Sequence, residues 1–68
     1  MSQKRYRQFE LHADGGFRIV CWLLDDRRLS IGRRLTLKGD DREWYVWARW
    51  ETALAEPPEK KWQVGGLS

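Results

Sequence analysis

An all-β fold, a small barrel or half-open barrel of four to five antiparallel strands, is what this sequence predicts. Three observations predict it. Residues 29–50, LSIGRRLTLKGDDREWYVWARW, alternate apolar and polar on both sides of a polar turn. Residues 4–24 hold a second pair of strand-like runs around Asp14-Gly15-Gly16. The chain has 68 residues, enough for one domain with a small core, and 13% of them are aromatic, which enlarges the area each core position buries.

Taken in order, Met1 to Gln3 are expected to fray. Lys4 to His12 form a first strand, with Phe9 and Leu11 on one face and Tyr6, Gln8 and Glu10 on the other. A three-residue loop, Asp14 to Gly16, sets Leu11 opposite Ile19 and Phe9 opposite Cys21, with glycine free to take the left-handed position such loops need. Phe17 to Leu24 follow as a strand apolar on both faces. That pattern fits a central strand, or one whose second face is covered by a tail or a partner. Asp25-Asp26-Arg27-Arg28 are a charged loop.

The main hairpin comes next. Centred on Asp40-Asp41, it sets Leu37 opposite Trp44, Leu35 opposite Val46 and Ile31 opposite Trp50, so apolar meets apolar at each pair. Trp44, Val46, Ala48 and Trp50 share the inward face; Tyr45, Trp47 and Arg49 share the outward one. Arg33 is the misfit on the inward face, and Gly32 before it is placed to carry a bulge that turns it out. A helix is the rival for residues 43–55, because Asp40 and Glu43 have capping-box spacing and Pro57 stops a helix near Glu56. The run W-Y-V-W and the need of LTLK for a partner favour strand. Thr52 to Ala55 read as one helical or 3₁₀ turn, Pro57-Pro58 as an extended break, Lys60 to Val64 as a short closing strand, and Gly65 to Ser68 as a flexible tail. The domain is thus residues 1–68 with short flexible ends.

The run L-S-I-G-R-R-L-T-L-K-G-D-D-R-E-W-Y-V resembles the strand-turn-strand centre of small SH3-like barrels. It also resembles short proteins of actinobacterial phages and prophages that show a glycine, a VTLKG-like strand, an acidic turn and a W-x-V strand. The resemblance covers residues 17–50 and implies an SH3-like barrel. It carries no catalytic or binding residues across. An acidic specificity loop and paired tyrosines have no equivalent here, which argues against polyproline recognition.

Composition narrows function. Thirteen basic and ten acidic residues leave a net charge of +3. Residues 1–34 hold eight of the basic residues against four acidic ones, a basic half suited to phosphate or an acidic protein surface. With no apolar run long enough to span a bilayer and no signal-peptide pattern, the chain reads as cytoplasmic, in the host cytoplasm if phage-encoded. One cysteine excludes an internal disulfide and a cysteine-rich zinc site, and Cys21 reads as a core residue. His12 stands alone near a turn, the serines lack a base in any recognisable pattern, and Asp25-Asp26 and Asp40-Asp41 read as solvated turn residues. Catalytic residues, metal ligands, a cofactor and a small-molecule substrate are therefore not expected.

Binding has more to stand on. In the hairpin register above, Arg34 lies across from Trp47 and Thr36 across from Tyr45, a cation–π arrangement. Arg27, Arg28, Arg34, Tyr45, Trp47 and Arg49 are the candidate partner-binding residues, and Trp, Tyr and Arg are the types that dominate interface hot spots. The expected function is a non-catalytic module, a small phage or prophage accessory protein, engaging a host protein or itself. Interleaved acidic and basic residues favour a protein partner; the alternative is a nucleic-acid-binding barrel, with aromatics stacking on bases. Against both stands the reading in which the C-terminal segment, through Leu54, Trp62 or Leu67, covers Trp22, Tyr45 and Trp47.

Overall fold

Five antiparallel strands form one open sheet, with no helix among the described residues. The structure, a computed structural model, describes residues 4–68, so the fraying expected of Met1 to Gln3 lies outside the described residues. The strands are β1 (Tyr6–Ala13), β2 (Phe17–Leu24), β3 (Arg34–Leu37), β4 (Glu43–Leu54) and β5 (Val64–Leu67). Their order across the sheet is β2-β1-β4-β3-β5.

The first hairpin has the register the glycines predict. Leu11 faces Ile19 and Phe9 faces Cys21 across the loop Asp14 to Gly16. Gly15 and Gly16 both take positive φ, at 89° and 83°, which a side chain would resist. On the inward face of this hairpin Phe9, Leu11, Cys21 and Leu23 are buried. Leu29, Leu35, Leu37, Trp44 and Val46 complete one core with Ala13, and Ile19, Val64 and Leu67 pack against it.

The main hairpin is strand rather than helix, but its register differs by two residues. Leu35 faces Trp44 and Thr36 faces Glu43, so the expected pairs Leu37–Trp44 and Leu35–Val46 do not form. The turn sits earlier than the two aspartates: the Asp40 amide donates to the Leu37 carbonyl at 3.0 Å, with Gly39 at φ 87°. Asp40 then accepts the Arg42 amide at 2.9 Å, which ties down the exit of the loop. A shift of two preserves which residues share a face, so Leu35, Leu37, Trp44 and Val46 still point inward. The bulge at Gly32 is present. Gly32 N–H donates to the Val46 carbonyl and Val46 N–H donates to the Arg33 carbonyl, at 2.8 and 2.9 Å, so two residues oppose one. Gly32 sits at φ 89°, the left-handed first position of such a bulge.

Beyond Val46 the expected inward face is lost. Leu11 pairs with Val46, but the next pair is Glu10 with Ala48, so Trp47 has no partner of its own on β1. This one-residue slip reverses the alternation. Ala48 joins the outward face, Arg49 falls opposite inward-facing Phe9, and Trp50 turns outward. Trp50 is 42% exposed and Ile31 60% exposed, so the predicted Ile31–Trp50 core pair does not form. A second break follows, where Trp50 to Thr52 lie opposite Gln8 before Arg7 meets Ala53.

Arg7 explains how that break is tolerated. Its Nη1 donates to the carbonyls of Trp50, at 2.7 Å, and Glu51, while Nε and Nη2 grip both Asp25 carboxylate oxygens at 2.8 and 3.1 Å. Backbone groups that leave a ladder need another partner, and one guanidinium supplies it. Its hydrogen bonds hold the Asp25 carboxyl below the usual carboxylate range.

The C-terminal third also differs from expectation. Thr52 to Leu54 continue β4 rather than forming a helical turn. The last strand lies at Val64–Leu67, where a tail was predicted, and pairs with β3. A Cβ on Gly65 would come within 3.1 Å of Thr36 Oγ1 and 3.3 Å of the Leu37 backbone, so glycine permits this close approach. Of the predicted closing strand Lys60 to Val64, Val64 opens β5 opposite Leu37, and Lys61 makes an isolated bridge to Trp22 on β2.

Candidate protein-interaction face

The outward face of β2, β1 and β4 carries the ring-bearing residues. His12 pairs with Arg18 on β2 and with Tyr45 on β4; Glu10 pairs with Val20 and with Ala48. Trp47, pushed out by the bulge, stacks flat on His12 with ring centres 4.6 Å apart and planes 6° from parallel. Tyr45 meets Trp47 edge-on at 6.4 Å and His12 at 5.9 Å. Glu10, two residues before His12 on the same face, accepts its Nε2–H at 2.6 Å. The chain Glu10–His12–Trp47 therefore holds the indole in one orientation, although Trp47 is 56% exposed. Val20, 51% exposed, and Trp50 flank this group on the same face.

The other end of the face is covered. Trp22 points outward as predicted, yet it is only 8% exposed. Its indole N–H donates to Glu59 Oε1 at 3.3 Å, its carbonyl accepts the Trp62 amide at 2.8 Å, and Lys61 lies 4.8 Å above the neighbouring Tyr6 ring. Tail-covering thus applies to Trp22, through residues 59–62 rather than Leu54 or Leu67. It does not apply to Trp47. Between this strap, β5 and the start of β1 lies a cleft of about 390 Å³ with Tyr6, Leu24, Trp62, Val64 and Leu67 in its wall.

Of the six predicted site residues, the fold brings three together. Arg34, Tyr45 and Trp47 are close, but Arg34 faces Tyr45 rather than Trp47. Its guanidinium pairs with Glu43 at 2.9 Å, and the indole stacks on histidine instead. Arg49 is turned from the face by the bulge. Arg27 and Arg28 follow Asp25, whose amide is bonded to the Arg5 carbonyl at the start of β1. Tyr6 and His12 are six residues apart on that strand, about 20 Å, so this loop sits at the far end of the sheet from Tyr45. Arg28 is bound to Asp26 at 2.8 Å, and the side-chain and amide hydrogen bonds of Arg28 bring the Asp26 carboxyl down to about 2.

Glu10, His12, Val20 and Trp50 were not among the predicted residues. The signal for His12 was its even position in β1, which puts it on the face of Gln8 and Glu10; what was missing was the pairing of β1 with β4.

No family model matches this chain, and neither a curated protein nor a solved structure shows significant similarity to it.

Proposed function

We propose that the chain is a non-catalytic binding module, a small SH3-like half-open barrel, that takes a protein partner on the outward face around Trp47. The observation that carries this reading is a largely exposed indole held rigid by a histidine and a carboxylate. An aromatic fixed before binding loses little conformational freedom on contact, and such residues carry most of the affinity of protein interfaces. The barrel description draws support from the strap, which brings the segment before β5 to the free edge of β2. A role as a phage or prophage accessory protein follows from the resemblance of residues 17–50.

The charges on this face favour protein over nucleic acid. Arg34 is paired with a carboxylate and Arg49 is turned away, which leaves Arg18, across from His12, as the unpaired cation beside the rings among the described residues. Glu10 adds a negative charge at the centre. A polyanion gains affinity by displacing counterions with a run of free Lys and Arg, and no such run lies beside these rings among the described residues.

The test is affinity capture from a host lysate, with and without nuclease, followed by titration of the captured partner at several salt concentrations. A protein retained after nuclease should bind Trp47→Ala more weakly by about 2 kcal/mol or more. The Arg27/Arg28 double alanine variant should change mainly association rate and salt dependence. A steep salt slope that flattens in the arginine variant would instead establish a nucleic-acid partner. Equal binding by wild type and Trp47→Ala would remove the face from consideration.

A further inference from the structure

β2 ends the sheet, and only half of its outer edge is covered. The strap bridges Trp22 and donates to its carbonyl, while among the described residues nothing pairs with the outer edge of Phe17 to Val20. In an antiparallel strand both backbone groups of a residue point to one edge, and the edge alternates along the chain. Since the Trp22 carbonyl faces outward, the N–H and C=O of Val20 and Arg18 do so too. Those four groups are free, between Phe17 and Val20 side chains that are 49% and 51% exposed. A shallow depression lined by Glu10, Arg18, Ile19 and Val20 lies along the same stretch.

We propose that two copies of this chain associate through this free half-edge, antiparallel, about a two-fold axis at Ile19. Unpaired strand edges are templates for another strand, and closed homodimers are the commonest assemblies. The register follows from what the edge offers. An axis at Arg18 sets like charges directly opposite, which is unfavourable. An axis at Val20 sets Arg18 against Trp22, whose carbonyl is already taken by Trp62. Registers centred between residues put outward-facing groups against inward-facing ones. Only the axis at Ile19 pairs Arg18 with the partner's Val20 and uses all free donors and acceptors of both copies.

Side-chain charge supports the second copy as occupant. Arg18 has no acidic partner among the described residues, and its cross-strand neighbour in its own chain is His12. Across the axis, Arg18 would lie beside the partner's Val20, with the partner's Glu10 one strand further, about 10 Å between Cα atoms. An extended arginine lying over valine reaches that carboxylate, and the contact occurs twice by symmetry. The ladder is short, so association is weak, on the order of 100 μM. This interface shares Glu10 with the Trp47 face, so Trp47→Ala, which leaves Glu10 in place, is the variant that separates the two.

Sedimentation equilibrium of the full chain should show the average mass rising toward twice the monomer with concentration. Arg18→Glu should weaken association tenfold or more, and Arg18→Glu with Glu10→Arg should restore it. Trp47→Ala should leave it unchanged. In a Cys21→Ala background, single cysteines at positions 18, 19 and 20 read the register. Ile19→Cys should form the disulfide-linked dimer several-fold faster than Arg18→Cys or Val20→Cys, because directly facing side chains are closest. A mass that stays monomeric well above that concentration overturns the proposal. So does indifference to Arg18→Glu, or cross-linking that peaks at position 18 or 20.

Discussion

The first four residues of β4 and the eight that follow are one strand by backbone and two by environment. Glu43 to Val46 lie between β3 and β1, and Trp44 and Val46 are 2% and 1% exposed. Trp47 to Leu54 have β1 alone as a neighbour, with two breaks in the ladder, and Trp47 and Trp50 are 56% and 42% exposed. The alternation read from Glu43 to Glu51 runs across the boundary between them. What differs is phase. A period-two pattern says which residues share a face only as far as the next bulge, and the bulge at Trp47 resets it. The same slip that takes Trp50 out of the core puts Trp47 on His12.

This contrast can be broken from either side. Trp44→Ala should have the largest effect, a loss of about 3–5 kcal/mol, enough to unfold a domain of this size. Urea denaturation checks it, and an unchanged midpoint would mean that the inward face of the first half is misassigned. Arg7→Met comes next, at about 1–3 kcal/mol, because it strands the Trp50 and Glu51 carbonyls and frees Asp25. Hydrogen exchange should locate the damage in the second half of β4, leaving Val46 protected. The pH dependence should change with it. Asp25 has its pKa lowered by Arg7 in the fold, so its contribution is complete above the unfolded value near 4 and is lost as pH falls through the folded one. Wild type should therefore lose stability on acidification below about pH 4 more steeply than Arg7→Met. Gly32→Ala should cost about 1 kcal/mol, the strain of a side chain at that positive φ. Trp50→Ala should be smallest, below about 1 kcal/mol, as for a surface position. A cost near that of Trp44→Ala would show that the second half is packed after all.

What could be read from sequence divides along the same line. The β1–β2 register was legible because a glycine pair fixes a short loop, and loop length fixes register. Gly32 marked its bulge for a similar local reason. The main hairpin was placed two residues off because Asp40-Asp41 looked like the centre of the turn, whereas Gly39 supplies the backbone and Asp40 caps it. The bulge at Trp47 had no local signal. Neither had the second break, at Trp50 to Thr52, which depends on Arg7, some forty residues away in the chain, satisfying the Trp50 and Glu51 carbonyls. The candidate face was legible in its aromatic members, Tyr45 and Trp47. Its arginines were not, since Arg28 and Arg34 are held by acidic neighbours, and His12 joins only because β1 and β4 are adjacent.

Cys21 gives this fold an internal clock. Its thiol lies in the core between Phe9 and the inward face of β2, and burial pushes its pKa up to about 12. A thiol reagent at neutral pH therefore meets no thiolate and no access while the strands are closed. Modification must wait for β2 to part from β1, so its rate counts openings of the first hairpin rather than the chemistry of the sulfur. A native chain thus carries, without any added label, a reporter on the lifetime of its closed state.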